Sequence, residues 1–216
     1  MKKLLSILLI VAMVFTMAGC SLDIKGLLGG LSELPTTTPS KTLTRGTIEG
    51  TVYTNEFLGF TFTRPSSWVY STDDEIAAAL NIGLEALGQE KFKESLENSD
   101  SLYDMMVKDI LTGNNVSVGY ENLKASLSSN ITEEQYLEAV KTQLAAIPNM
   151  QYTFSDTGET IKLGDTTFYK MVCTAEYSGF TMTQVYYLHK VDNYMGFIIA
   201  TFVTDFSIAD FEACFN

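Results

Sequence analysis

Alternating apolar and polar residues predict strands at the beginning of the body of this chain. Gly46–Tyr53 and Gly59–Thr63 both fit the two-residue period of a strand, with Thr54–Glu56 as the turn between them. Pro65 ends the second strand because it has no backbone N–H for the ladder. Trp68 is expected on an irregular segment after it.

Helical spacing follows at three places, each opened by a capping residue. Thr72–Glu75 and Thr132–Gln135 fit the capping box, and Ser207 opens the last helix. A short surface helix is expected within Gln89–Asn98. The predicted buried stripes are Ile76, Leu80, Leu84 and Leu87, ending at Gly88; Tyr136, Val140, Leu144 and Ile147, ending at Pro148; and Ile208, Phe211 and Phe215.

The rest of the body is predicted to consist of strands joined by tight turns. Leu102–Leu111 has helix-forming residues, but the turn at Thr112–Asn115 and the alternation of Val116, Val118 and Tyr120 favour a β-hairpin. The remaining predicted strands are Tyr169–Tyr177, Phe180–Leu188 and Tyr194–Val203, of which the last is apolar on both faces, as a central strand is.

Strands joined by tight turns pair antiparallel, and helices must then cover the sheet. The sequence therefore predicts an α+β fold in which an antiparallel β-sheet is covered by helices. Residues 46–216 are long enough for one domain with its own core. The 13 phenylalanines and 11 tyrosines supply large apolar side chains for that core.

The first twenty residues differ in character from the body. Lys2 and Lys3 precede an almost wholly apolar run from Leu4 to Ala18, which is shorter than the about 20 residues of a membrane-spanning helix. A charged start, an apolar run and small residues before a cleavage site are the pattern of a secretory signal.

The four residues Met17-Ala18-Gly19-Cys20 resemble the lipobox of bacterial lipoproteins, which is usually Leu-small-small-Cys. The resemblance implies that residues 1–19 are a signal peptide, cleaved between Gly19 and Cys20. It also implies a lipid on the Cys20 sulfur and a fatty acyl group such as palmitate on the new amine. Two or more acyl chains anchor a protein stably. The alternative is an ordinary secretory signal with a chance cysteine.

Residues 20–45 are predicted to form a flexible tether. Gly29 and Gly30 break any helix, and Thr36–Ser40 is a low-complexity polar tract. The root-mean-square reach of such a segment is roughly 25–30 Å for about 25 residues. In a second interpretation, Leu27–Leu34 forms a short helix lying on the bilayer.

The charge of the chain argues against one class of partner. Loss of residues 1–19 removes Lys2 and Lys3 but no acid, so the mature chain has 12 basic and 26 acidic residues and a net charge of −14. An acidic exterior is unsuited to nucleic acid and is repelled by anionic lipid. The charge serves either solubility alone or an acidic binding face.

The order of the elements, together with the aromatic-rich segment Gly59–Trp68, resembles the PsbP-like fold. That fold is named after an extrinsic lumenal protein of photosystem II, and lipoproteins of Gram-positive bacteria have similar domains. The resemblance covers about residues 47–216 and implies an α/β/α sandwich. It implies an exported binding or assembly module rather than an enzyme, and it assigns no functional residue.

His189 is the only histidine, which excludes metal motifs with two histidines and leaves room for one Ser-His-acid triad. The chain has no Gly-x-Ser-x-Gly elbow and no glycine-rich phosphate loop with a lysine. We therefore expect His189 to be a surface or helix-contacting residue. It shares its predicted strand face with Thr181, Thr183, Val185 and Tyr187.

Other polar or aromatic candidates also have structural explanations. Asp73–Glu75 and Glu133–Glu134 could bind a hard cation, but the first turn of a helix favours acids in any case. Asp156 and Glu159 flank a turn and are expected to be solvated. Trp68 could stack on a carbohydrate, but a single tryptophan after a strand-ending proline favours a core position.

Two cysteines remain once Cys20 carries lipid. Cys173 is on the apolar side of its predicted strand, and Cys214 is at the edge of the last helical stripe. Export permits a disulfide, which would form if the helix packs over that strand with the Cα atoms about 5.5 Å apart. Two buried free thiols are the alternative.

These patterns together predict a membrane-anchored lipoprotein on the extracytoplasmic face of the cell membrane. We expect a monomeric, non-catalytic binding or assembly module without cofactor or metal, whose partner is an envelope protein or ligand. One alternative is a cell-envelope hydrolase that uses His189 with a nearby serine or acid. Another is a small-molecule carrier, which needs an apolar pocket of at least ~300 Å³.

Overall fold

The computed structural model of the chain describes residues 41–126, 129–204 and 206–216. The predicted signal peptide, Cys20 and most of the predicted tether lie outside the described residues. Within the three described ranges, no helix is long and apolar enough to cross a membrane.

The described residues form eleven strands and five α-helices, with one 3₁₀ helix at Leu84–Leu87. The strands are β1 Thr47–Glu49, β2 Val52–Asn55, β3 Phe60–Thr63, β4 Trp68–Tyr70, β5 Ser101–Asp109, β6 Asn115–Asn122, β7 Gln151–Phe154, β8 Glu159–Leu163, β9 Thr166–Tyr177, β10 Phe180–Val191 and β11 Tyr194–Phe202. The helices are α1 Asp73–Leu80, α2 Phe92–Glu97, α3 Leu123–Ser126, α4 Glu133–Ala145 and α5 Ile208–Glu212.

The strands form two antiparallel sheets, so the fold is mixed α+β, as the sequence predicts. A three-stranded sheet has the order β1-β2-β3. An eight-stranded sheet has the order β4-β5-β6-β11-β10-β9-β7, and β8 also pairs with β9. The predicted central strand is confirmed, because β11 lies between β6 and β10 and most of its residues are buried.

Different elements contact the two faces of the eight-stranded sheet. Neighbouring Tyr186 and Tyr187 on β10 point to opposite faces. The Tyr187 hydroxyl donates to Glu212 of α5 at 2.9 Å. On the other face, Tyr136 of α4 donates to Glu121 of β6. We call this second side the α4 face and the first the small-sheet face.

The three-stranded sheet packs on the small-sheet face together with the last residues of the chain. Leu58 contacts Gly196 of β11, and the Phe57 ring lies 5.6 Å from the Tyr120 ring. The second edge of β3 pairs with the C-terminal segment: Thr61 and Asn216 exchange two backbone hydrogen bonds, of 2.7 and 3.0 Å.

The single predicted strand Gly46–Tyr53 is wrong, because the chain turns inside it. Gly50 has a φ of +61°, a conformation that glycine adopts at little cost, and it lies in the turn between β1 and β2. The second strand of this hairpin continues to Asn55, which the sequence assigned to a turn. The predicted strand at Gly59–Thr63 is confirmed as β3.

Two other boundaries also differ from those predicted. Trp68 begins β4, pairing with Asp109 of β5, rather than lying on an irregular segment. The helix predicted to run from Ile76 to Leu87 ends at Leu80, because Asn81 takes the left-handed conformation with a φ of 54°. The later part of that stripe forms the separate 3₁₀ helix.

The local signals for helix starts and hairpins are confirmed. Thr72 and Thr132 both form complete capping boxes, and the Ser207 side chain accepts a hydrogen bond from the Asp210 N–H. The predicted hairpin forms from β5 and β6. Its alternating residues Val116, Val118 and Tyr120 are all fully buried.

Candidate functional site

The most elaborate polar arrangement among the described residues lies where the predicted tether enters the folded body. Leu43 is only 3% exposed, and Lys41 lies 3.5 Å from the backbone oxygen of Phe57. Residues 41–45 therefore belong to the folded body. These contacts begin five residues before residue 46, where the sequence predicts that the domain starts after a flexible tether.

Arg45 fixes this entering segment to three separate elements. Its guanidinium makes two hydrogen bonds to the Asp73 carboxylate at 2.7 and 2.5 Å. It also donates to the backbone oxygen of Leu87 at 2.6 Å and to that of Asp104 at 3.1 and 3.3 Å. The fork of donors on arginine suits such multiple recognition. We call the group of Arg45, Gly46, Asp73 and Asp104 the N-terminal clasp.

The Asp104 side chain is the buried centre of the clasp. Its side chain is fully buried, and one carboxylate oxygen lies 3.6 Å from Arg45 Nε. The Gly46 N–H donates to both carboxylate oxygens, at 3.1 and 2.9 Å. Asn55 Nδ2 and the Tyr120 hydroxyl donate at 3.2 and 3.3 Å. These donors stabilise a charge that burial alone would make costly.

The clasp changes the acidity of its members in opposite directions. Burial raises the pKa of Asp104, although the Gly46 N–H and Arg45 oppose that shift. The hydrogen bond from Arg45 lowers the pKa of Asp73. Burial on its own would lower the pKa of Arg45, but the two carboxylates raise it. The arginine therefore stays charged over the whole physiological range.

No local sequence pattern identifies the clasp. Arg45 is the last residue of the predicted tether, and Asp104 lies 59 residues later inside a strand. The usable signal was an acid within the otherwise apolar segment Leu102–Val107, since a buried acid needs a partner. The sequence does not show which cation supplies it.

His189 lies on the small-sheet face of β10, on the same side as Val185 and Tyr187, as its strand face predicted. Its ring centroid is 5.6 Å from that of Phe168. Burial lowers the pKa of His189, partly opposed by Glu133 and by a hydrogen bond with the Thr167 backbone. Among the described residues, no serine hydroxyl is hydrogen-bonded to the His189 ring.

The acids proposed as cation ligands have structural partners. Glu75 accepts from the Thr72 N–H of its capping box and pairs with Lys108 at 3.2 Å. Glu133 accepts a hydrogen bond from the Lys190 backbone at 3.0 Å. Among the described residues, no group of three His, Cys, Asp or Glu side chains is arranged to hold a metal ion.

Two further acids and Trp68 can also be placed. Glu159, which was expected to be solvated, pairs with the largely buried Lys170 at 3.3 Å, and Lys170 also contacts Glu212 of α5 at 2.9 Å. This group holds α5 to the eight-stranded sheet. Trp68 is 1% exposed, with its ring 5.8 Å from Phe206, so the core position is confirmed.

The structure does not bring Cys173 and Cys214 together, and both thiols are free. Cys173 pairs opposite Gln184 of β10 and so lies on the α4 face with Tyr186. The Cys214 backbone instead bonds to Thr63 of the small sheet, at 2.9 Å. The eight-stranded sheet separates the two side chains. Burial raises the pKa of Cys173 to about 12, which makes this thiol unreactive.

Searches against protein-family models and against curated proteins gave no match to this chain.

Proposed function

We propose that this protein is a lipoprotein held at the extracytoplasmic face of the cell membrane by lipid on Cys20, and that its body is a non-catalytic binding or assembly module. The observation that carries the proposal is Met17-Ala18-Gly19-Cys20 after an apolar run that begins with two lysines. That order of features is what lipoprotein processing requires.

The N-terminal clasp supports the proposal physically. When a protein is anchored by its first mature residue, any force on the lipid anchor reaches the folded body where the N-terminal segment enters it. Here Arg45, four residues after Lys41, binds α1, the 3₁₀ helix and β5. The ion pair of Arg45 with the buried Asp104 attaches the end of the tether to β5, and so to the eight-stranded sheet.

In the same proposal the body is a PsbP-like layered domain. The contacts of α4 on one face of the large sheet, and of α5 with the small sheet on the other, support a three-layer arrangement. The resemblance expected helices on both faces, whereas here strands supply much of the second layer. A binding or assembly role agrees with a body whose named polar groups mostly serve its own structure.

The anchor is tested by feeding radiolabelled palmitate to cells that express the full chain, Cys20→Ala or Cys214→Ala. We expect label in the wild type and in Cys214→Ala, which removes a different cysteine. We expect no label in Cys20→Ala and its release from the membrane fraction. An unlabelled wild type, or a Cys20→Ala form that stays as firmly with membranes, would overturn the proposal.

The module part is tested separately with the anchor intact. The full chain is purified from native membranes in mild detergent, and co-purifying proteins are quantified against membranes that lack it. We expect at least one envelope protein to be enriched. A chain that is labelled with palmitate yet enriches nothing would leave the anchor standing and remove the binding role.

A further inference from the structure

Residues 41–46, which we call the entry segment, contact the body mainly through the side chains of Leu43 and Arg45. Leu43 is 3% exposed, whereas the other residues before Arg45 are exposed. Among the described residues, no backbone–backbone hydrogen bond joins the entry segment to the body. The entry segment is therefore held as a bound peptide is held, by recognition of its side chains, rather than as part of a sheet.

The acceptors that bind the Arg45 guanidinium all belong to the body. The Asp73 carboxylate is on α1, and the Leu87 backbone oxygen is on the 3₁₀ helix. The backbone oxygen and the fully buried carboxylate of Asp104 are on β5. Without the entry segment, an amide and a hydroxyl of the body would still donate to this carboxylate, at 3.2 and 3.3 Å. The body therefore supplies the whole guanidinium site.

The position after the arginine has room only for glycine. A Cβ on Gly46 would lie 2.4–2.7 Å from atoms of the Tyr53 ring, which is held in the core with 0% exposure. The Gly46 N–H donates to both carboxylate oxygens of Asp104, and its backbone oxygen accepts from Gln89 at 3.2 Å. The body thus recognises an aliphatic residue, an exposed residue, an arginine and a glycine in that order, as in Leu43-Thr44-Arg45-Gly46.

The entry segment can leave this site without breaking the eight-stranded sheet. It continues into β1, an edge strand of the three-stranded sheet, whose three residues are all exposed. Ordering its six residues costs roughly 6–12 kcal/mol of backbone conformational entropy, which offsets much of what its contacts contribute. The segment also lies between the predicted anchor and the body, so force on the anchor would draw it away from the site.

The chemistry of the site defines which other ligand it would hold. The planar fork of a guanidinium fits a carboxylate and several backbone oxygens at once, which a lysine ammonium does not. The mature chain has a net charge of −14, which attracts a cationic segment to the body. A competing segment must displace one that belongs to the same chain, whose effective concentration is about millimolar. The entry segment therefore closes the site to weaker ligands.

We propose that the N-terminal clasp is a binding site for arginine-glycine peptide segments, that the entry segment keeps it occupied, and that a segment of the same chemistry on the envelope partner takes its place. The proposal rests on the proposed binding role and adds the chemistry of the contact. The partner's arginine binds Asp73 and Asp104, and the N–H of the glycine after it donates to the Asp104 carboxylate. The entry segment is thus an autoinhibitory contact.

The site is first tested with a labelled peptide that has the sequence of residues 41–48, added to the purified full chain. The wild type is compared with Arg45→Ser, which empties the guanidinium site. We expect the peptide to bind Arg45→Ser at least about tenfold more tightly, a difference of roughly 1.4 kcal/mol, because the wild type must first release its own arginine. Equal binding to both chains, or no binding to Arg45→Ser, would overturn the proposal.

Altered peptides and a second substitution check that the binding is specific. Peptides with lysine for the arginine, or alanine for the glycine, should bind Arg45→Ser at least about tenfold more weakly. Adding Asp73→Asn should weaken the original peptide likewise, because Asp73 accepts two of the hydrogen bonds. Binding that is insensitive to all three changes would be general attraction to an acidic body, and the proposal would fail.

Thermal melting shows whether Arg45→Ser remains folded. If it does not, Leu43→Ser takes its place, because this change weakens the entry segment but keeps every acceptor of the site. The peptide should then bind Leu43→Ser at least about threefold more tightly than the wild type. Equal binding would again contradict the proposal.

Co-purification from native membranes separates failure of this inference from failure of the binding role. The yield of the envelope partner should rise at least about threefold with Arg45→Ser and fall again when Asp73→Asn is added. If the wild type enriches a protein whose yield neither change alters, the clasp is not the contact, while the binding role stands. If no form of the chain enriches a protein, the binding role falls, and the partner proposed for the clasp falls with it.

Discussion

At the scale of single residues, Arg45 matters because its loss would leave the buried Asp104 carboxylate without a cation. Breaking a buried ion pair on one side costs about 3–5 kcal/mol. We therefore expect Arg45→Met, which keeps the aliphatic stem, to lower the free energy of unfolding by about 3 kcal/mol in urea. Adding Asp104→Asn should restore part of it, because a neutral amide still accepts the Gly46 N–H.

The control for this experiment is Lys93→Met, which removes an exposed pair with Glu97 at 3.8 Å. That change should stay within about 0.5 kcal/mol. An Arg45→Met effect as small as the control would mean that the clasp adds nothing to stability.

The loss of stability in Arg45→Met should also depend on pH, and its direction follows from the pKa of Asp104. Burial raises the pKa of Asp104 above its ordinary 3.8, and Arg45 opposes that rise. A carboxyl with a raised folded pKa stabilises the fold below its unfolded pKa, and this contribution is lost as the pH rises through the folded pKa. Removing Arg45 raises the folded pKa of Asp104 further. The difference in free energy of unfolding between the wild type and Arg45→Met should therefore become smaller as the pH is lowered.

The burial and contacts of a side chain can be predicted from the sequence only where residues nearby in the chain determine them. The core position of Trp68 is predicted correctly, because a single tryptophan after a strand-ending proline favours such a position. The pairing of Arg45 with Asp73 and Asp104 depends on three distant segments meeting. No local pattern around Arg45 distinguishes it from a solvated tether residue.

At the scale of elements, the Phe197 ring of β11 lies close over the backbone of β6 because Gly119 has no side chain. A Cβ at this position would lie 2.6 Å from a ring carbon of Phe197 and 2.7 Å from the backbone oxygen of Leu102. Backbone and ring would both have to move. We expect Gly119→Ala to destabilise the protein by about 1–3 kcal/mol, measured by urea unfolding, because overpacking forces strain into neighbouring strands.

Gly158→Ala is the matched control, since a Cβ there would meet only Glu134 Oε1 at an ordinary 3.7 Å. It should leave the melting temperature within about 2 °C of the wild type. If both alanine variants melt like the wild type, the approach at Gly119 is looser than the structure shows.

The elements that were predicted well are those whose signals are local. Capping boxes at Thr72 and Thr132, and the β5–β6 hairpin, depend on residues a few positions apart. The helix predicted over Ile76–Leu87 failed because one non-glycine residue, Asn81, takes a left-handed conformation. The apolar stripe continues past that point, so periodicity alone cannot reveal the break.

At the scale of the whole molecule, the sequence indicated the α+β class but not the division into two sheets. Hairpin turns predict antiparallel neighbours, yet they do not say which hairpins join one sheet. The edge of β3 is completed by Asn216, 155 residues after Thr61. Such long-range closure is decided by packing, and it also places α5 on the small-sheet face.

The boundary between tether and body gives a prediction for the whole molecule. If the folded body begins at Lys41, a fragment of residues 41–216 should unfold at the same urea concentration as residues 21–216, because only part of the predicted tether has been removed. A fragment of residues 47–216 also loses the buried Leu43 and the clasp. It should be less stable by about 3 kcal/mol, the cost of leaving Asp104 buried and without its cation.

Ordering residues 41–46 itself costs conformational entropy. Whether these residues stabilise the body therefore depends on the clasp and not on apolar burial alone. Fixing a backbone costs about 1–2 kcal/mol per residue, or roughly 6–12 kcal/mol for these six residues, which exceeds the about 1.5–3 kcal/mol that burial of Leu43 contributes. The segment is therefore held only if the buried ion pair and its hydrogen bonds supply the difference. Placing Asp104→Asn in the 47–216 fragment should then recover stability, because the stranded charge is gone. Equal stability of 41–216 and 47–216 would instead place the start of the body at residue 46, and the proposed coupling between anchor and sheet would be lost with it.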